Sequence, residues 1–207
     1  MPQVPDVVTH YHLADKPPFL SLSELSGAEL EAVLRDLRRR RTDSGLRRVF
    51  GSRYMDLRRL TESRLKDLFE LAGGTPERAT PHYFVLGVSR WFRGLSPDAQ
   101  EITVPLAELP DDATSFTYPD SFTSMGYGPR FGVPYEPRPY HGKVFRLREL
   151  ANVVAKYGIP QDAPEPDYEG YHRRDFETYI EIQLWSDAPL ERFGVQRRSG
   201  REGAQGS

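Results

Sequence analysis

Two hydrophobic rhythms alternate along the chain, and each predicts its own kind of element. Val7-Val8-Thr9-His10-Tyr11-His12-Leu13 is a β-rich run that stops at Lys16-Pro17-Pro18, where proline cannot serve a central ladder. The spacing then becomes helical. Ser26-Gly27-Ala28-Glu29 reads as a capping box, and Leu30, Val33, Leu34 and Leu37 follow on one stripe. A second helix is predicted from about Ser52 to Ala72. Leu57, Leu60, Leu65, Leu68 and Phe69 form its apolar stripe, and Gly73-Gly74 ends it.

Beyond that glycine pair the rhythm becomes that of strands. Pro81 to Gly87 and Glu101 to Leu106 are predicted strands, and Ser115 to Tyr118 is a short one turned by Pro119-Asp120. Tyr127 to Pro139, rich in Gly, Pro and aromatics, reads as an ordered surface loop. Lys143 to Leu147 is a strand, Arg148 to Tyr157 a short helix, and Gln161 to Gly170 an acidic loop. The last strong element is the strand Thr178 to Trp185. The order predicts an α+β fold, one domain over 1–196 with a basic helical insertion over about 26–74. The apolar-poor segment 197–207 is expected to be a disordered tail.

Composition narrows the class. There is no cysteine, which excludes disulfides and thiolate zinc sites and fits a reducing compartment. The segment Met1 to Val8 lacks the basic start and apolar core of a secretory signal. No apolar run approaches the roughly 20 residues that span a bilayer. The cytoplasm is therefore the expected location, with no membrane partner. Charge is sorted along the chain. From Arg35 to Lys66 eleven Arg and one Lys face four acids, a net of +8. From Ile159 to Glu191 nine acids face two Arg, a net of −7. The basic stretch is either a pair of solvated helices or a face for phosphates.

The final strand holds the candidate chemistry. Period-two geometry sends Ile180, Ile182 and Leu184 to one face, and Tyr179, Glu181, Gln183 and Trp185 to the other. A carboxylate flanked by an amide and two aromatic rings suggests a pocket wall. His10 and His12 share a face of the first strand, but the chain's other histidines have no ligand-like spacing, and no metal site is expected.

Taken in order, these pieces resemble the DarT-like ADP-ribosyltransferases. Tyr11-His12 is similar to the Tyr-His of that fold's opening strand, and the segment around Arg47 to Arg59 to its Arg-rich helices. Pro81-His82-Tyr83-Phe84 running on to Ser89 resembles its "PFYF…S" strand, and Phe116 to Asp120 its "FTD" strand end. Tyr179-Ile180-Glu181-Ile182-Gln183 resembles the strand of the catalytic Glu. The matches are short and extend from about Thr9 to Leu190. Such enzymes usually carry Gln two residues before the Glu, whereas this chain has Tyr179 there and Gln183 two residues after. Were the catalytic acid instead the second of an E-x-E pair, Gln183 would occupy its place.

The resemblance implies a compact split β-sheet core, with NAD as the substrate that donates ADP-ribose. It implies Glu181 and Arg53 as catalytic residues, and His12, Tyr11, Tyr83, Ser89 and Tyr118 around the cofactor. A nucleic-acid base as acceptor, reached through the Arg-rich segment 35–66, follows from the same family, as do a toxin-like role and an antitoxin protein as partner. Three other readings compete. They are a magnesium-dependent nuclease built on Glu181, Gln183 and Asp120, an RNA 2′-phosphotransferase of the same fold, and a non-catalytic nucleic-acid or protein binding module.

Overall fold

The computed structural model describes residues 3–131, 135–161, 165–170 and 177–195. The tail expected over 197–207 lies outside them. Six strands form one antiparallel sheet in the order β3-β1-β2-β6-β4-β5. They are β1 (Val7–Leu13), β2 (His82–Leu86), β3 (Ala99–Pro105), β4 (Thr114–Thr117), β5 (Phe145–Arg146) and β6 (Glu181–Leu184). The helices are α1 (Gly27–Asp43), α2 (Tyr54–Leu71), α3 (Arg90–Arg93), α4 (Ser121–Ser124) and α5 (Leu150–Tyr157). The α+β class is therefore as expected. Among the described residues no helix is long and apolar enough to cross a membrane.

The register across the central strands fixes which side chains share a face. Thr9 stands opposite Val85, Val85 opposite Glu181, and Glu181 opposite Thr117. Alternation then puts Tyr11, Tyr83, Gln183 and Ser115 on that same face. The other face carries Val8, Phe84, Leu86, Phe116, Ile182 and Leu184. These pack with Leu150, Val153 and Val154 of α5 and with Phe19 into the main core. The first face is covered by α2, whose Leu65 and Phe69 pack on Trp185. Both faces of β6 are thus buried, and so are all four of its residues.

Local detail departs from the sequence reading at three places. Ser26 caps α1, but its side chain makes no capping bond, so the predicted capping box is absent. The last strand begins at Glu181 rather than Thr178. Tyr179 is drawn off into an aromatic cluster, with Phe92 edge-on at 4.9 Å and Trp91 stacked at 6.4 Å. The Lys143–Leu147 strand shrinks to two residues, because Leu147 already enters a 3-10 turn that feeds α5.

The end of α2 is pinned to the sheet. Buried Arg146 donates to the carbonyls of Gly73 at 2.6 Å and Asp111 at 3.0 Å, and pairs with the Asp111 carboxylate at 2.6 Å. Gly74 leaves room for Phe69. A Cβ there would lie 2.4 Å from the ring. These contacts hold α2 across the polar face of β6, which sets up the site.

Candidate active site

Between α2 and the sheet lies a cavity of about 200 Å3, lined by Tyr11, Tyr83, Tyr179, Glu181, Arg58 and Arg48 among others. Enclosing a whole drug-sized ligand takes at least ~300 Å3, so this space suits the reacting end of a larger molecule.

Glu181 is its central acid, 9% exposed. Its Oε1 accepts from Gln183 Nε2 at 3.0 Å, and the Ser121 hydroxyl also bonds the carboxylate. Burial, followed by the like charge of Asp120, pushes its pKa up to about 7, against the pull of those two donors and of Arg58. Asp120, N-cap of α4, accepts from the Thr123 amide at 3.1 Å and the Thr123 hydroxyl at 2.5 Å. Burial raises its pKa too, and the Thr123 bonds oppose the rise. Glu181 can therefore exchange a proton near neutrality, as a general acid or base requires.

Opposite the sheet, α2 contributes a polar stripe at four-residue spacing. Tyr54, Arg58 and Glu62 stand one above the other. Arg58 donates to the Tyr54 hydroxyl at 3.0 Å, Ser23 Oγ at 2.9 Å and Glu62 Oε1 at 3.0 Å, and its guanidinium sits 4.8 Å from the centre of the Tyr83 ring. Tyr83 donates to the same Glu62 oxygen at 3.1 Å. Burial opposes the charge on Arg58, but Tyr54, Tyr83 and Glu62 outweigh it and its pKa rises. Tyr83 is raised well above its usual value, first by burial and then by Glu62, so it stays a neutral donor. Glu62 is 2% exposed, and its Oε2 has no hydrogen-bond partner among the described residues.

The cavity brings together Glu181, Tyr11 and Tyr83 of the residues singled out from sequence. It does not include the other four. His12 is on the sheet face away from Glu181 by strand alternation, with Nδ1 3.0 Å from the Leu13 carbonyl and 3.2 Å from that of Lys16. The imidazole at the cavity edge is His10, and it is already engaged. Its Nδ1 donates to the Tyr83 carbonyl at 2.9 Å and its Nε2 accepts from the Phe19 amide at 3.0 Å. Burial, opposed by the Tyr83 carbonyl, lowers its pKa to about 4 and keeps it neutral.

Ser89 caps α3, and its own amide donates to the Tyr11 hydroxyl at 2.8 Å. Tyr118 belongs to the main core, and its hydroxyl donates to the Tyr157 carbonyl at 3.0 Å. Arg53 is exposed at the start of α2.

Two arginines line the cavity, Arg58 and Arg48, both within the Arg47 to Arg59 segment, and of these Arg58 lies on α2, the helix whose N-cap is Arg53. Glu62 and Arg48 were missed. The Tyr54–Arg58–Glu62 spacing was the local signal for the first, while Arg48 lies in a segment without helix or strand period. Among the described residues no group of three or more His, Asp or Glu is arranged to hold a metal ion. No family model, curated protein or solved structure matches the chain.

Proposed function

We propose that the protein is an NAD-dependent mono-ADP-ribosyltransferase of the DarT-like kind, with Glu181 as its catalytic residue and a nucleic-acid base as acceptor. The observation that carries this reading is the placement of Glu181. It is a buried carboxyl with a near-neutral pKa, facing tyrosine rings and a fixed guanidinium across a cavity sized for a ribose and one ring. In the reaction the bond between the ribose anomeric carbon and the nicotinamide nitrogen breaks, and neutral nicotinamide leaves with the bonding electrons. Positive charge develops on the ribose, where a fixed carboxylate stabilises it. The acceptor nitrogen or oxygen then bonds the anomeric carbon, and its proton passes to the Glu181 carboxylate. Tyr83, held by Glu62 and Arg58, offers a rigid ring for the nicotinamide. The NAD-transferase fold itself is part of the same proposal.

The test is incubation of the chain with NAD and mixed single-stranded DNA, read by nicotinamide release and by intact mass of the nucleic acid. Glu181→Gln should abolish both while leaving the melting temperature at or above that of the parent. Release that continues at the parental rate in Glu181→Gln would remove the carboxylate from the mechanism. Absence of release with any acceptor offered, from a folded protein, would remove the activity.

A further inference from the structure

We infer that Arg38, Arg41 and Arg48, with Thr42 and Phe50, form a phosphate-binding subsite beside the Glu181 cavity. The inference rests on reading that cavity as a nucleotide site.

Four of the five guanidiniums of α1, those of Arg38 to Arg41, are divided between two tasks. Arg39 and Arg40 are engaged by Asp36, at 2.8 and 2.9 Å, and Arg40 also pairs with Asp15. Arg38 and Arg41 lie three residues apart on another stripe of α1. Among the described residues Arg38 makes only a long contact, 3.5 Å, to the Phe50 carbonyl. Neither Arg38 nor Arg41 has a carboxylate partner among the described residues. Both border an open cavity of about 330 Å3 together with Thr42, Arg48 and Phe50.

The helix C-terminus, with its partial negative charge, favours basic residues in the last turn and so accounts for Arg41 by itself. It does not account for Arg48 and Phe50, which come from the next segment and converge on the same hollow. Two of the wall residues, Arg48 and Phe50, also line the Glu181 cavity, so the two spaces adjoin. A chain of donors links them. Arg48 Nη2 donates to the Tyr54 hydroxyl at 3.1 Å, and that hydroxyl also receives Arg58. Phe50 presents a half-buried ring with the Arg48 guanidinium 5.5 Å from its centre. Converging guanidinium forks beside an aromatic ring suit a phosphate joined to a nucleoside. That phosphate belongs either to the acceptor strand's backbone or to the pyrophosphate of the dinucleotide.

The double variant Arg38→Gln/Arg41→Gln of the full chain distinguishes these sources. Binding of a fluorescein-labelled ten-nucleotide single-stranded DNA is read by anisotropy without NAD, and NAD binding is read by titration calorimetry. With the acceptor backbone as source, the DNA dissociation constant rises on the order of tenfold at roughly 50 mM salt, and the logarithmic salt slope becomes shallower by about 1. Arg39→Gln removes the same charge from the acid-paired side and should change DNA binding less than about twofold. A weakened NAD affinity in its place assigns the subsite to the pyrophosphate. Unchanged affinity for both ligands, in a double variant that melts like the parent, overturns the subsite. Exposed Arg41→Gln alone serves should the double variant be unstable. Since binding is read without turnover, loss of the subsite and loss of the transferase activity are separate outcomes.

Discussion

Gln183 and Glu181 stand two positions apart on β6, and the amide of one donates to the carboxylate of the other at 3.0 Å. The Gln183 carbonyl in turn accepts from Ser115 Oγ at 3.0 Å, and its amide also reaches Thr117 Oγ1 at 3.2 Å. The residue that the family pattern would place before the acid thus acts on it from the other side. Gln183→Leu removes a bond that lowers the Glu181 pKa. In the proposed mechanism the carboxylate is the active form, so turnover rises with pH through a limb near 7. The variant should move that limb upward, measured from pH profiles of nicotinamide release, and cost about 1–3 kcal/mol of stability.

Glu181 should also make stability depend on pH. Its folded pKa of about 7 lies above the usual 4.5, so the folded chain holds the proton more tightly. Its contribution is fully present below about 4.5 and is lost as pH rises through 7, at no more than about 1.4 kcal/mol per pH unit. His10 runs the other way. Its pKa is lowered to about 4, so its share is lost as pH falls from 6.5. The difference in melting temperature between parent and Glu181→Gln isolates the carboxyl. It should widen in favour of the variant from pH 5 to pH 8, and a constant difference would count against the shift.

Arg58 and Glu62 form a buried pair whose members depend on each other. Arg58→Met strands the Glu62 carboxylate and should cost about 3–5 kcal/mol by urea unfolding. Arg58→Met with Glu62→Leu should recover much of that loss. Recovery of stability without recovery of NAD turnover would show that the pair serves the cavity rather than the fold.

Gly74→Ala tests the seat of α2. The added Cβ meets the Phe69 ring, which is fully buried against Trp185, and neither ring has room to retreat. A loss of about 1–3 kcal/mol is expected in thermal or urea unfolding.

Much of the fold could be read from periodicity. β1, α1, α2 and the strand character beyond Gly74 all follow from local patterns, and so does the inward turn of Glu181. What escaped depends on contacts distant in sequence. Tyr179 has strand propensity, yet the aromatic rings of α3 hold it off the ladder. Tyr118 and Tyr83 look alike as sequence, but alternation on β2 aims Tyr83 at α2, while Tyr118 joins the core against Tyr140 and Tyr157. Choosing Arg58 over Arg53 needed the rotation of α2 about its axis, which only its packing on Trp185 decides. The Tyr-His pair was legible as a strand feature. Its parity, Tyr11 toward Glu181 and His12 away, follows only once β1 is registered against β2.

Burial of β6 on both faces has a consequence for how such a protein can fail. Amide hydrogens at 182–184 should exchange with solvent only through global opening, among the slowest in the chain. Frayed ends or a displaced surface loop would leave the acid's backbone anchor untouched. Heat inactivation should therefore be abrupt, coinciding with collapse of the whole sheet rather than preceding it.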